Sequence, residues 1–193
     1  MIKGTDITTQ GRTQTADFRR EVTMTPLRRH DMRFRSATTE EVQALWDERW
    51  YGLVVCLGKV LTPEDVDGLA LVDHLDEMVG LVTYNIDGPA GQIVTLDTII
   101  RGRGFGRRLL EAVETTFEKQ GLGRAWAVMT NDNLRAVGLY LSRGYRLVRV
   151  HLDAVTAVRE HKPKLPEVGY EGIPIRDIWE LEKMSPLTGV PVP

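Results

Sequence analysis

The residues best suited to chemistry lie in one run, Arg101-Gly-Arg-Gly-Phe-Gly106. Closely spaced glycines let backbone N–H groups approach a ligand with no Cβ in the way. Arg101, Arg103, Arg107 and Arg108 crowd positive charge where a helix begins, although cations there oppose the helix dipole. Charge of that sign at that end suits an anion. A strand, a glycine turn and a helix N-terminus together form a device for holding phosphate. Two common phosphate patterns do not fit. Arg107 stands where the third glycine of Gly-x-Gly-x-x-Gly belongs after Gly102 and Gly104, and Gly-x-x-x-x-Gly-Lys-Ser/Thr is absent.

Such a loop needs a strand before it and an amphipathic helix after it. Gln92 to Leu96 is β-branched and apolar, short enough for a strand. Phe105, Leu109, Val113 and Phe117 then recur at helical spacing, with Ala112 on the same side, up to a stop at Gly121-Leu-Gly123. Upstream, Met32 to Ser36 alternates as a first strand. Thr38 or Thr39 caps a helix in capping-box style with Glu41, and Val42, Leu45, Trp46 and Trp50 supply its apolar face. Leu53 to Leu57, with Val60 and Leu61 continuing, is a short strand. Gly68 to Asp73 and Glu77 to Tyr84 form a hairpin, and Asp87 to Gly91 turns into the central strand.

Downstream, Arg124 to Thr130 is a buried strand, parallel to the Gln92 strand if the crossover is right-handed. Asn131-Asp-Asn133 caps a second helix running to Gly144. Tyr145 to His151 is a strand, and Asp153 to His161 a short helix broken by Lys162-Pro-Lys-Leu-Pro166. Gly172 to Glu182 is a last strand, expected beside Tyr145 to His151. Residues 1–30 are polar without an apolar period and read as a flexible extension, and residues 186–193 as a frayed tail.

The whole is 193 residues, enough for one domain with one core. Hydrophobic content of 42% and charged content of 27% are those of an ordinary globular chain. A net charge of −2 gives no general argument for nucleic acid or an anionic membrane. Cys56 is the only cysteine and sits among apolar neighbours, so it reads as a core residue, not a disulfide or metal ligand. His30, His74, His151 and His161 are scattered without metal spacing, and no Gly-x-Ser-x-Gly nucleophile elbow occurs. Every apolar run is too short for a membrane span, and no secretory core opens the chain, so the expected location is the cytoplasm.

Arg101, Gly104 and Gly106 spell Arg/Gln-x-x-Gly-x-Gly, and a second stretch follows it: Asn133-Leu-Arg-Ala136, Leu139-Tyr140, then Arg143-Gly144-Tyr145. The pair, in this order, resembles the coenzyme A signatures of the GCN5-related N-acetyltransferases, the GNAT superfamily, over about residues 32 to 183. The resemblance extends to the closing Gly172-Ile-Pro-Ile-Arg-Asp177 segment. It implies an α/β fold in residues 31–185: a largely antiparallel sheet whose central parallel pair splays around coenzyme A. It also implies acetyl-CoA as cofactor. Leu96, Asp97 and Thr98 would meet the acetyl and pantetheine groups. Arg101, Gly102, Arg103, Gly104, Phe105, Gly106 and Arg107 would take the pyrophosphate, and Asn133 the pantetheine arm.

By the same resemblance Tyr140 matches the tyrosine that protonates the departing thiolate. Many relatives carry a glutamate base on the central strand. Here Gln92 begins that strand and cannot serve, which leaves Asp97 as the nearest carboxylate, with Glu48 and His74 further candidates and bulk water as a substitute. Trp46, Trp50 and Tyr51 fall where relatives shape the acceptor pocket, although core packing is the expected role of at least two of them. The implied function is transfer of acetyl to a primary amine of a small molecule or peptide by direct attack in a ternary complex. The alternative is a catalytically idle acyl-CoA-binding regulatory module. A transferase directed at tRNA or of toxin–antitoxin type is less suited to the modest charge. No nucleic-acid or membrane partner is expected; oligomeric state is left open, with a homodimer through the last strand one arrangement the sequence allows.

Overall fold

The computed structural model describes residues 32–100 and 102–187. The expected N-terminal extension, Arg101 and residues 188–193 lie outside the described residues. The elements run β1 (Arg33–Ser36), α1 (Thr39–Arg49), β2 (Val54–Cys56), β3 (Lys59–Leu61), a 3-10 turn at Pro63–Asp65, β4 (Asp67–Val72), β5 (Met78–Asp87) and β6 (Ala90–Thr98). They continue with α2 (Phe105–Lys119), β7 (Arg124–Thr130), α3 (Leu134–Leu141), β8 (Arg146–His151), α4 (Val155–His161), a 3-10 turn at Tyr170–Gly172 and β9 (Ile178–Met184).

Seven strands form one sheet in the order β1-β4-β5-β6-β7-β9-β8, and only the β6–β7 pair is parallel. This is the expected mixed α/β architecture. β2 and β3 stand apart as their own two-stranded hairpin, because Leu57 and Gly58 both adopt positive φ and turn the chain back at once. β9 lies between β7 and β8, so it is beside Tyr145 to His151 as expected but begins at Ile178. The residues before it are held in the 3-10 turn and an isolated bridge at Pro174, which as proline cannot donate to a ladder. Paired on both sides, β9 has no free edge for a dimer partner; among the described residues β1 and β8 are the edges of the sheet.

Helices cover both faces. α1 starts with a complete capping box, in which Glu41 N–H donates to Thr38 Oγ1 and Thr38 N–H donates to the Glu41 carboxylate. It buries Val42, Leu45 and Trp46 on one face of the sheet. α2 buries Phe105, Leu109, Val113 and Phe117 on the other, each fully buried apolar side chain contributing about 1.5–3 kcal/mol. Gly91 on β6 lets α2 sit this close, since a Cβ there would fall 2.5 Å from the Phe117 ring. At the far end of α2, Glu114 is wholly buried and bonded to Lys183 (3.1 Å) and Arg143 (3.3 Å). Lys183 also donates to the Leu187 carbonyl, and Leu187 is fully buried, so the first residues of the expected frayed tail are packed in place.

Two irregularities of β6 make the site. The first is a bulge. Thr83 pairs with Thr95, but Tyr84 pairs with Ile93, leaving Val94 as an extra residue. Val94 packs with Trp46 and Thr95 accepts the Trp46 N–H, so two successive side chains face α1. The bulge reverses the alternation for every residue that follows. The second is an early parting. β6 pairs with β7 only from Ala90–Arg124 to Ile93–Ala127, although both strands run on. A gap opens between them.

Candidate active site

The gap holds a cavity of about 230 Å³. Its floor is β6 from Gln92 to Leu96 and β7 from Val128 to Thr130. Trp50 and Tyr51 close one side, Tyr140 and Asn133 another, and Val158, Lys162 and Leu165 a third. A second space of about 390 Å³ adjoins it, bounded by Leu96, Asp97, Thr98, Gly102, Gly104, Phe105, Gly106 and the α3 residues Arg135 and Leu139. Arg49, Leu96, Asn133, Ala136 and Tyr140 border both. The two spaces therefore meet beside Tyr140.

The backbone of β6 is open toward this gap. Thr95 N–H donates to Thr83 Oγ1 and Ile99 N–H to the Val79 carbonyl, both on β5. Strand alternation turns the N–H groups of Leu96 and Thr98 the other way, where β7 has left. Asp97 N–H faces β5 with those of Thr95 and Ile99, so of the three expected backbone contacts only Leu96 and Thr98 point into the gap.

The glycine loop has the shape its sequence suggests. Gly102 and Gly104 adopt φ of +75° and +76°, a region that glycine enters without Cβ strain. Gly104 is the N-cap of α2, no side chain caps the helix, and no acidic residue lies in its first turn. Orphan N–H groups and the positive dipole end are left for a ligand. Gly106 lies in the first turn of α2, where a Cβ would meet Leu139 at 3.4 Å and Leu96 at 3.5 Å, ordinary contact distances that place this turn against α3 and β6.

The loop arginines depart from the expectation. Arg103 and Arg107 are exposed, Arg107 is 3.5 Å from Glu111, and Arg108 folds back over the Phe34 ring. None of the three lines the loop space; Arg135 of α3 does, stacked on Tyr170 at 4.9 Å. A run of like charges reveals composition, and helix phase then sends each side chain its own way.

Tyr140 is buried edge-on to Tyr145 at 5.0 Å between centroids. Burial, then the nearby Glu114 and Asp97 charges, push its phenol well above the usual range, so it stays protonated at working pH. Asn133 caps α3 by accepting the Ala136 N–H and also borders both spaces. Asp97 owes its direction to the bulge. Its carboxylate turns toward α1 and accepts the Trp50 indole N–H at 2.8 Å, with Arg49 3.8 Å away. Burial raises its pKa, opposed by the Trp50 bond and the Arg49 charge.

Of the aromatics, Trp50 and Tyr51 line the cavity, whereas Trp46 is completely buried, bonded to Thr95, and lines neither space. Trp46 is thus a core residue and not part of a pocket, while Trp50 both packs against the same core cluster and lines the cavity. Gln92 is buried with its amide on Cys56 Sγ at 2.8 Å. Burial pushes the Cys56 thiol up to about 11, which suits the expected inert core residue. Glu48 is exposed beside Arg49, and His74 sits exposed in the β4–β5 turn; neither lines the site. Two residues that sequence reasoning missed do line it, Arg49 and Lys162. Arg49 sits at the end of α1 and spans to the Thr98 carbonyl at 3.1 Å. Lys162 lay hidden in a stretch legible only as a helix breaker.

The family model for GNAT acetyltransferases matches residues 26–145, more than half of the chain, through both signature stretches. The chain belongs to the GNAT family of acetyltransferases. Among its relatives, the uncharacterized protein YdhI of Bacillus subtilis is 40% identical over 114 residues, 59% of this chain and 71% of that protein. The family fold extends to distant structures. An IAA acetyltransferase from Bacillus cereus superimposes with a TM-score of 0.63 at 14% identity, over 79% of this chain and 99% of that one. A Bacillus subtilis acetyltransferase in complex with CoA gives 0.60 at 17% identity, over 79% and 98%. Within this GNAT chain no described helix is long and apolar enough to cross a membrane.

Proposed function

We propose that the chain is an acetyl-CoA-dependent N-acetyltransferase that passes the acetyl group directly to a primary amine of a small molecule or peptide. The observation that carries this reading is the meeting of two spaces at one point: a loop space with an uncapped helix start and a cleft open to an acceptor join beside Tyr140. The described residues fit the coenzyme. The positive-φ glycines and free α2 N–H groups suit a pyrophosphate, and Asn133 and the Leu96 and Thr98 N–H groups flank the narrow way between loop and cleft. When bound, acetyl-CoA supplies an activated acyl thioester. The Leu96 and Thr98 N–H groups are positioned to stabilise negative charge on a carbonyl oxygen in the gap. Asp97 accepts a proton from the incoming ammonium, leaving the amine lone pair to form the new C–N bond. Tyr140 O–H donates a proton to the sulfur as the C–S bond breaks. Tyr140 is protonated near neutral pH, as a proton donor must be, and burial raises the proton affinity of the Asp97 carboxylate against the opposing Trp50 bond and Arg49 charge, as suits a base.

Gln92, tied to Cys56, favours a second reading, an acyl-CoA-binding module without turnover. Thiol release from acetyl-CoA over a broad amine panel, beside coenzyme binding, separates the two. Turnover supports the transferase, and binding without turnover on any amine supports the module. Absence of coenzyme binding overturns both.

A further inference from the structure

We propose that the acceptor is a primary amine bearing a carboxylate on an apolar body, and that Lys162 is the residue that receives the carboxylate. This rests on the acyl-transfer reading above.

Lys162 is only 6% exposed. It follows directly on α4, its N–H bonded to the Val158 carbonyl and its carbonyl accepting the Leu165 N–H, both at 2.9 Å. A backbone pinned on both sides fixes where the side chain goes, and it goes into the cavity wall. Its ammonium lies 5.7 Å from the Trp50 ring centroid and 5.9 Å from that of Tyr51. Among the described residues it has no hydrogen-bond acceptor and no carboxylate partner, only these two ring faces. Val54, Val55, Val158 and Ile178 give the same cavity its apolar lining.

An ammonium in such a place is disfavoured unless something compensates it. Burial lowers its pKa to about 8, which still leaves it largely charged at neutral pH. A carboxylate brought into the cavity would supply the missing counter-charge, and the low-dielectric walls would strengthen the pairing. Arg49, the other cation of the cavity, is already engaged by the Thr98 carbonyl and Asp97.

The charge pattern also sets the class of acceptor. Among the described residues no Asp or Glu lines the cleft cavity, so a polyamine's additional ammonium groups would find no partner there and would meet Lys162 instead. One lone ammonium matches one negative charge, which fits a carboxylate better than a phosphate dianion. Trp50 fixes the spacing, because its N–H edge holds Asp97 while its face meets Lys162. An acceptor would place its amine at the Tyr140 end, where the cavity opens to the loop space that Asp97 borders, and its carboxylate at the Lys162 end, with an apolar body against Val54 and Val128.

The test uses the full chain with leucine, methionine, phenylalanine and γ-aminobutyrate, each beside its carboxamide, and spermidine as a polycationic control. Thiol release gives kcat/KM, and calorimetry gives the affinity for acetyl-CoA. The best acid is expected to exceed its carboxamide by about tenfold or more. In Lys162→Met that ratio should collapse toward unity, with acetyl-CoA affinity unchanged. The variant is expected to fold, since it replaces an unpaired buried charge with an apolar chain of similar length. Carboxamides or spermidine used as well as the acids would overturn the proposal and leave acyl transfer standing. So would an equal loss on acid and carboxamide in Lys162→Met. Failure to bind acetyl-CoA would instead remove the reading beneath it.

Discussion

Lys183 and Lys162 are buried to nearly the same degree, 9% and 6% exposed, and their surroundings are opposite. Lys183 meets Glu114 at 3.1 Å and the Leu187 carbonyl, while Arg143 joins the same carboxylate at 3.3 Å and Glu111 at 3.2 Å. Lys162 meets two aromatic faces and a cavity. The first cluster ties α2, the end of α3 and β9 together with its charges answered inside the protein. The second region, from the glycine loop to Lys162, leaves helix N–H groups, a phenol and an ammonium facing open space. A buried group whose partners are all present is holding the fold. A buried group turned to a cavity without one is held ready for something that enters. Arg143, part of the second signature, belongs to the first region, so that signature serves the scaffold as well as the site.

The sharpest way to break this comparison is Glu114→Ala. It leaves Lys183 and Arg143 buried with their shared counter-ion gone, which should cost about 3–5 kcal/mol in denaturant unfolding. A loss below about 1 kcal/mol would mean the cluster is no scaffold. Next comes Tyr140→Phe, expected to lower kcat about a hundredfold with unchanged acetyl-CoA affinity and stability. Unchanged turnover would move Tyr140 to the structural side. Gly104→Val forces a β-branched residue to a φ of +76° at a cost of about 1–2 kcal/mol, and should abolish coenzyme binding in a chain that still folds. Normal affinity in that variant would remove the loop from the site.

A smaller effect concerns Asp97. Burial raises its pKa above the ordinary aspartate value, so the folded chain binds its proton more tightly than the unfolded chain. Its contribution to stability therefore declines as pH rises from the ordinary aspartate range through the raised folded value. Turnover should climb over the same window as the base ionises. Asp97→Asn should flatten that acid limb of the pH–rate profile and remove the associated fall in stability; an unaltered limb assigns the base elsewhere. The least perturbing change is Lys162→Met, which should leave unfolding stability within about 1 kcal/mol of the parent or raise it, in contrast with Glu114→Ala.

Much of the scaffold was legible in the sequence because its signals are local. The Thr38–Glu41 capping box, the Asn133 cap, the β4–β5 hairpin and the glycine turn each need only a few neighbouring residues. The insertion of β9 beside β8 was legible through family resemblance. What escaped depends on register and direction. The family resemblance allows a bulge in this strand, but no glycine or proline marks its place at Val94, which decides that Asp97 faces Trp50. Trp46 and Trp50 lie one helical turn apart, and only the position of the α1 end over the gap makes one core and the other wall. None of Arg103, Arg107 and Arg108 lines the loop space they were expected to serve, while Arg135 arrives from α3. Lys162 has no pattern at all in the sequence; it acquires meaning only when α4 packs over the cleft.

The most direct test of the account is calorimetric titration of the full chain with acetyl-CoA and free coenzyme A, beside ADP as a matched nucleotide. The account predicts micromolar binding of both coenzymes, far tighter than ADP, because the pantetheine arm must add contacts along the gap between β6 and β7. Binding no tighter than ADP, or none, would contradict it.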